Sequence, residues 1–365
     1  MHHCSHAYHP KTQGISLNPV FLICAGSRTY LSERLLDYPM KIAILTSGGD
    51  SPAMNAAIRA ITRVGIHRNC EIFGVFGGFQ GILNQQYHEL NSRSVSRILH
   101  RGGTMLTTGR SEEFKTQEGL KKAAKFLRDQ QFDALIAIGG DGTMHGLDAL
   151  SKHWDGWLIG LPGTIDNDLY GTDYTIGFDT AINNALDALD KIRDTAEAFQ
   201  RVFLVEVMGR KAGFIAFHVG IATGASAILM PETTTTIEEL ANVVTKAKEK
   251  SKTSVLVVVA EGDELGNAHT IADALSKKIK EEIRVSVLGY IQRGGNPTHF
   301  DRYLATRLGA YAIECLLEGK HGGMVGEMHG ELMMTPFKET WTHKKPLDEW
   351  MLGLLDELSG ISSAD

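Results

Sequence analysis

The sequence predicts an α/β enzyme of two doubly wound lobes with mostly parallel sheets. Three observations lead there. Apolar runs rich in Val and Ile recur with helical stretches between them, the pattern of parallel strands buried on both faces. Nearly every run closes on glycine or a tight polar turn, and ligands of such sheets bind beyond the carboxyl ends of the strands. With 365 residues, 43% of them hydrophobic, the chain is long enough for about two domains, each with a core of its own.

Residues 1–39 read as a disordered N-terminal leader. His2, His3, His6 and His9 crowd its start, no acid precedes Glu33, and no amphipathic period is sustained. A metal-binding role for those histidines is the less economical reading. The short apolar patch at 20–25 lacks the basic lead-in of a signal peptide. Met40 directly precedes the first strand and is a candidate start.

KIAILTS (41–47) is a strand that runs into Gly48 and Gly49, with a helix from about 55 to 68. In TSGGDSPAMNAAIR (46–59), Gly49 would let backbone N–H groups approach a phosphate, with the positive end of the helix nearby; a plain turn has the same look. EIFGVFGG (71–78) repeats the plan. In RGGTMLTTGRSEEF (101–114), Arg110 could neutralise a transferred phosphoryl group, or be an ordinary surface arginine. FDALIAIGG (132–140) opens into IGGDGTMHG (138–146). There Gly139, Gly140 and Gly142 keep side chains out of a phosphate path, and Asp141 could hold Mg²⁺ directly or through water. A missing side chain at Gly142 leaves room for a nucleotide's α-phosphate. The motif is not a Walker A loop, which needs Gly-Lys-Ser/Thr.

WLIGLPG (157–163) leads into LPGTIDND (161–168), the most informative stretch. It sets Asp166 and Asp168 two residues apart in a turn too rich in Pro, Gly and Asn to be helix interior. Two acids that close repel unless a cation, a metal or a proton shares the site. One can take a proton while its neighbour helps hold a metal-bound phosphate. RVFLVEVMG (201–209) and TSVLVVVAEG (253–262) are further strands. VEVMGRKAG (205–213) and LGYIQRGGNP (288–297) both read as apolar strands ending in Gly and Arg, presenting Arg210 and Arg293 at strand ends, where guanidinium forks suit phosphate. Arg201 and Arg284 stand at the opposite ends of these segments and would need another subunit to join the same pocket. Arg59 and Arg63 are a like-charge i, i+4 pair, costing about 0.2–0.5 kcal/mol without a counter-anion. With Lys250 and Lys252 they could take an effector phosphate or form a solvated face. The apolar spacing of 341–358 suggests a helix packed on the smaller lobe.

A net charge of -6 and a pI near 6.2 argue against a general binder of nucleic acid or membrane surfaces. Cys4, Cys24, Cys70 and Cys315 show no metal spacing and suit a reducing, cytoplasmic setting. No apolar run approaches the ~20 residues of a membrane span.

Taken together, LTSGGDSPAMNAAIR, GGDGT, PGTIDND, VEVMGR and IQRGG resemble the bacterial-type ATP-dependent 6-phosphofructokinase family in order and spacing, from Met40 to about residue 323. The resemblance implies ATP-dependent phosphorylation of fructose 6-phosphate at its 1-hydroxyl, the committed step of glycolysis, with the active site in a cleft between the lobes. It implies a larger ATP-binding lobe of 40–177 plus 292–342 and a smaller fructose 6-phosphate lobe of 178–291 plus 343–365. Asp166 would be the base, with Arg210 and Thr164 as its catalytic companions. Asp141 and Asp168 would hold Mg²⁺. Gly49, Arg110, Ser111, Gly140, Asp141, Gly142 and Thr143 would surround ATP. Thr164, Ile165, Asp166, Met208, Gly209, Arg210 and Glu261 would face the sugar and the phosphoryl group in transit. Ile291 and Gln292 would also be substrate-binding, and Tyr290 and Arg293, with Arg201 and Arg284 of a neighbouring subunit, would hold the 6-phosphate, in a homotetramer whose sites are shared between subunits.

Three departures accompany the match. Tyr290 replaces a histidine, Ala53 replaces a glycine, and Ser92, Ser226 and Ser254 stand where arginine, glutamate and histidine are common in the effector site. The effector residues Arg59, Arg63, Arg193, Gly224, Lys250 and Lys252 match, so a weak or altered response to ADP and phosphoenolpyruvate is expected. Pyrophosphate-dependent relatives typically carry Asp at the Gly142 position and Lys at the Gly163 position, so glycine at both favours ATP. Kinases of NAD or diacylglycerol share GGDGT but not PGTIDND or IQRGG. A non-catalytic ligand sensor would not need Asp141, Asp166 and Arg210 intact.

Overall fold

The computed structural model describes residues 39–250 and 253–359; the expectations placed on the leader up to residue 38 and on Lys252 lie outside them. In chain order the strands are β1 (Lys41–Ser47), β2 (Glu71–Val75), β3 (Tyr87–Glu89), β4 (Ala134–Gly139), β5 (Trp157–Pro162), β6 (Val202–Val207), β7 (Ala227–Leu229), β8 (Val255–Ala260), β9 (Ile283–Val287), β10 (Gly323–Met328) and β11 (Glu331–Pro336). They form a seven-stranded sheet, β11-β10-β5-β4-β1-β2-β3, and a four-stranded sheet, β7-β8-β6-β9. Among the described residues, only β2–β3 and β10–β11 pair antiparallel. The α/β class with mostly parallel sheets is as the sequence predicts.

The six apolar runs form strands for a plain reason. β4, β5 and β8 are buried at every position. In β6 and β8, successive residues alternate between two cores. Val205, Val207, Leu256 and Val258 face the helices Phe178–Phe199 and Phe214–Ala222. Val202, Leu204, Val255, Val257 and Val259 face Ile237–Glu249 and Ala268–Leu275. The period of two thus needs apolar residues on both faces. Each fully buried Val is worth about 1.5–3 kcal/mol, so one charge in β8 would cost the smaller sheet dearly.

Strand order reverses between β1 and β4, whose last residues, Ser47 and Gly139, are register partners. In the smaller sheet Val207 and Ala260 close β6 and β8 side by side. Crevices at such points are where doubly wound sheets bind ligands.

Two expectations need correction. Arg293 does not end a strand: β9 stops at Val287, and a 3₁₀ turn, Gly289–Arg293, follows. The stretch 341–358 is not one helix on one lobe. It breaks into Glu339–Thr342, Glu349–Gly353 and Leu355–Ser359, with Pro346 between the first two. Proline disfavours helix for the residue before it and lacks an N–H of its own. Trp341 packs on the larger sheet's core, whereas Leu347, Met351, Leu352 and Leu355 pack on the smaller's. Among the described residues no helix is long and apolar enough to cross a membrane.

Candidate active site

The first two glycine loops meet where β1 and β4 end. The Thr143 hydroxyl, buried, donates to the Ser47 carbonyl at 3.3 Å and staples the loops together. The helix Asp141–Ser151 starts at Gly140 with no side-chain cap; the Thr143 and Met144 N–H groups bond the Gly140 carbonyl, which leaves those of Asp141 and Gly142 as the helix's unpaired leading donors. A Cβ on Gly142 would meet nothing within 4 Å. Gly163 is the opposite case, since a Cβ there would press on Ile138 Cγ2 at 2.8 Å and Met54 Cε at 3.0 Å. Arg110 is exposed on its loop. The Ser111 hydroxyl donates to Gln80 Oε1 at 2.6 Å and accepts from the Phe114 N–H at 3.1 Å, so both of its roles are local.

The 163–168 turn is braced from within. Asn167 takes a left-handed φ of 56°, and its Oδ1 accepts from the Thr175 N–H at 2.9 Å. The Thr175 hydroxyl donates to the Thr164 carbonyl at 2.6 Å. Thr164 Oγ1 accepts the Asp166 N–H at 3.2 Å. Ile165 points into the smaller sheet's core, so its side chain anchors the turn and only its backbone faces the site.

Asp166 is thereby held at 3% exposure. Its Oδ2 lies 3.9 Å from Arg210 Nε, while its buried Oδ1 has no partner. Burial pushes its pKa up, and the nearby Arg293 and Arg210 guanidiniums pull it part of the way back. Asp168 is pushed up to about 6, by burial first, then by Asp166 and more weakly by Asp141. Three carboxylates so placed repel until a cation joins them. Among the described residues no group of three His, Cys, Asp or Glu could alone hold an ion. Asp141 is near enough to Asp168 to raise its pKa, and carboxylates are usual donors to Mg²⁺. Asp141 also has His145 Nε2 at 3.5 Å.

The smaller sheet supplies the facing wall. Glu261 Oε1 accepts from the Gly209 N–H at 3.3 Å and the Arg210 N–H at 2.7 Å, fixing a turn in which Arg210 has a φ of 56°. Left-handed backbone at a non-glycine residue is strained and persists when its surroundings over-determine it. Gln292, fully buried, accepts the Met208 N–H at 2.9 Å. Arg293 lies over Gly49 and donates to the Asp50 carbonyl at 2.8 Å. Tyr290 and Ile291 are exposed, at 83% and 60%.

The remaining residues divide. Arg201 and Arg284 sit at the amino ends of β6 and β9 and both pair with Glu282; the chain alone does not bring them to Asp166. Arg63 donates to the Ser92 carbonyl at 3.4 Å, and Arg193 to the Thr223 carbonyl beside Gly224. Burial and Arg63 lower the Arg59 pKa. Arg59 and Arg63 lie on Met54–His67, beside the larger sheet, and Arg193 on Phe178–Phe199, beside the smaller; no hydrogen bond or ion pair among the described residues joins the two groups.

Two supporting residues escape sequence reasoning. Asn184 Nδ2 faces the carbonyls of Ile291, Gln292 and Gly294 at 3.3, 3.3 and 2.9 Å. Lys345, its pKa lowered to about 7 by burial, donates to the Asp173 carbonyl at 2.5 Å behind the acidic turn. Their partners are distant backbone carbonyls, which leave no mark in a sequence.

The chain is similar to known proteins over most of its length. The family model described as phosphofructokinase matches residues 41–316. ATP-dependent 6-phosphofructokinase 1 of Thermus thermophilus is 48% identical over 319 residues, covering 87% of this chain and 99% of that protein. ATP-dependent 6-phosphofructokinase 2 of Bacteroides thetaiotaomicron is 46% identical over 319 residues, covering 87% and 98%. Phosphofructokinase from Saccharomyces cerevisiae superposes with a TM-score of 0.79 at 34% identity, over 88% of this chain; the chain spans only 47% of that longer one. A pyrophosphate-dependent phosphofructokinase from Marinobacter aquaeolei, at a TM-score of 0.75 and 22% identity over 85% and 86% of the two chains, shares the fold.

Proposed function

This chain belongs to the phosphofructokinase family, and we propose that it transfers the γ-phosphoryl group of ATP to the 1-hydroxyl of fructose 6-phosphate, yielding fructose 1,6-bisphosphate. The observation that carries this reading is the buried, unpartnered Oδ1 of Asp166, set beside Arg210 with Arg293 also near. A carboxylate with one free oxygen and a raised pKa is suited to accept a hydroxyl proton near neutral pH. Arg210 would meet the charge of the phosphoryl group in transit, and Thr164 keeps Asp166 oriented through its N–H. Glu261, with its second oxygen free of those backbone bonds, would face the sugar. Asp141 and Asp168 would hold Mg²⁺, which when bound neutralises phosphate charge and orients the transferring group.

ATP rather than pyrophosphate is supported by the two glycines. Gly142 borders open space of the kind an α-phosphate needs, and the packing around Gly163 has no room for a lysine stem. We assign ATP to the lobe of 40–177 plus 292–342 and the sugar phosphate to the lobe of 178–291 plus 343–365, following the two sheets. The position of Arg201 and Arg284 at the amino ends of β6 and β9, away from Asp166, supports a shared site, and Val287, Tyr290 and Ile291, exposed at and beyond the other end of β9, support a covering subunit in a homotetramer. A coupled assay on fructose 6-phosphate with ATP or pyrophosphate tests the chemistry. Turnover with ATP is expected, and faster turnover with pyrophosphate would overturn it. Sedimentation tests the assembly, which a monomeric active enzyme would refute.

A further inference from the structure

A concavity of about 530 Å³ opens beside the site, lined by Asp50, Arg101, Tyr290, Arg293 and the glycine backbone at 102–103 and 294–295. Its walls are built. Asn55, buried at 2% exposure, donates to the carbonyls of Arg101 at 3.1 Å and Gly102 at 3.4 Å and accepts the Met105 N–H at 2.7 Å. That fixes the 101–105 loop to the helix behind the first glycine turn. Gly102 meets the other wall backbone to backbone, because a Cβ there would stand 2.5 Å from the Gly295 carbonyl oxygen. On that wall, Asn184 gathers the carbonyls of the 291–294 turn.

The charges do not balance. Arg101 and Arg293 contribute two guanidiniums and Asp50 one carboxylate. Arg293 spends one N–H on the Asp50 carbonyl and keeps the rest of its fork. Among the described residues the Arg101 guanidinium has no hydrogen bond or ion pair. Two guanidiniums sharing a small cavity repel until an anion joins them, and their forks fit phosphate oxygens.

We propose that Arg101 is a second guanidinium of the sugar-phosphate subsite, binding the 6-phosphate together with Arg293 and Tyr290 from within one chain. The neutral phenol of Tyr290 can donate only one hydrogen bond and brings no charge, so Arg101 supplies the second positive charge on this side of the phosphate. This assignment rests on the proposed fructose 6-phosphate kinase activity.

The test compares wild type with Arg101→Ala, Arg101→Gln and Arg101→Lys. Loss of a charged hydrogen-bonding partner should raise the KM for fructose 6-phosphate by about ten- to a hundredfold, with kcat and the KM for ATP near wild type. Lysine should recover part of the loss, since it restores charge without the fork. The inhibition constant of inorganic phosphate, competing with fructose 6-phosphate, should rise by the same factor as the KM. An unmoved KM in active Arg101→Ala and Arg101→Gln enzymes would overturn the subsite. So would a KM for ATP and a melting temperature that shift together with it, since that is the mark of a structural residue. Wild type without turnover on fructose 6-phosphate would sink the activity instead. Calorimetric titration of inorganic phosphate then reads the subsite alone: weaker binding in Arg101→Ala upholds it, and equal binding refutes it.

Discussion

Gly142→Asp separates stability from nucleotide binding. Gly142 is the second residue of the helix Asp141–Ser151, and a Cβ there meets nothing within 4 Å. The fold therefore has no steric objection to a side chain. Because Asp is itself a poor helix former, the exchange gains only a few tenths, about 0.3 kcal/mol, in helix propensity, and a carboxylate in the first turn of a helix gains about 0.3–1 kcal/mol from the dipole. The repulsion of nearby Asp141 takes back part of both, so the melting temperature should hold or rise slightly. Binding should behave otherwise. A carboxylate about 4 Å from a phosphate charge, at an effective dielectric of about 20, meets about 4 kcal/mol of repulsion. Mg²⁺ and solvent at this open position screen about half of that, leaving about 2 kcal/mol, or roughly a thirtyfold rise in the KM for ATP. Steady-state kinetics with varied ATP at saturating fructose 6-phosphate, beside a thermal melt, would measure both. An unchanged KM for ATP would refute the placement of the α-phosphate against Gly142, and a large fall in melting temperature would refute the open space.

Asp166→Ala should lower kcat by about 10²–10⁴-fold while calorimetric binding of fructose 6-phosphate survives; near-normal turnover would remove Asp166 from the role of base. Asp168, held near 6, has a folded pKa above the ~3.9 of an unfolded aspartate. Its contribution to stability is therefore complete below about pH 4 and is lost as pH rises through about 6. Without Mg²⁺, Asp168→Asn should then stabilise the protein at pH 7 more than at pH 5, and an equal effect at both would contradict the shift. The acid limb of kcat/KM should move to lower pH as Mg²⁺ is raised, and should ignore Mg²⁺ if these carboxylates do not hold it. If Arg59, Arg63 and Arg193 belong to an effector site, ADP and phosphoenolpyruvate should shift the fructose 6-phosphate saturation curve weakly, and Arg63→Ala should abolish that shift; a strong shift untouched by the substitution would place the regulatory site elsewhere.

What could be read in the sequence follows from how strongly physics constrains residue type. β4, β5 and β8 are legible because burial on both faces excludes nearly everything but apolar residues. β9 was hidden because an edge strand needs one packed side only, and IRVSV has no fully buried position. β7 has only three residues, too few for any period to register. The same division runs through the site. A buried carboxylate between two arginines and glycines clustered at a strand end are conspicuous residue types, so Asp166 and Gly139, Gly140 and Gly142 stand out. The residues that hold them in place are freer. Asn184 and Lys345 act on backbone carbonyls, which every residue type possesses, across 107 and 172 positions of chain. Nothing at Ile291 or Asp173 announces a partner so far away. The C-terminal stretch adds a third case: its apolar spacing was visible, but Pro346 divides it, and the halves serve different cores. Spacing alone says that a face is buried; only the tertiary fold says against what.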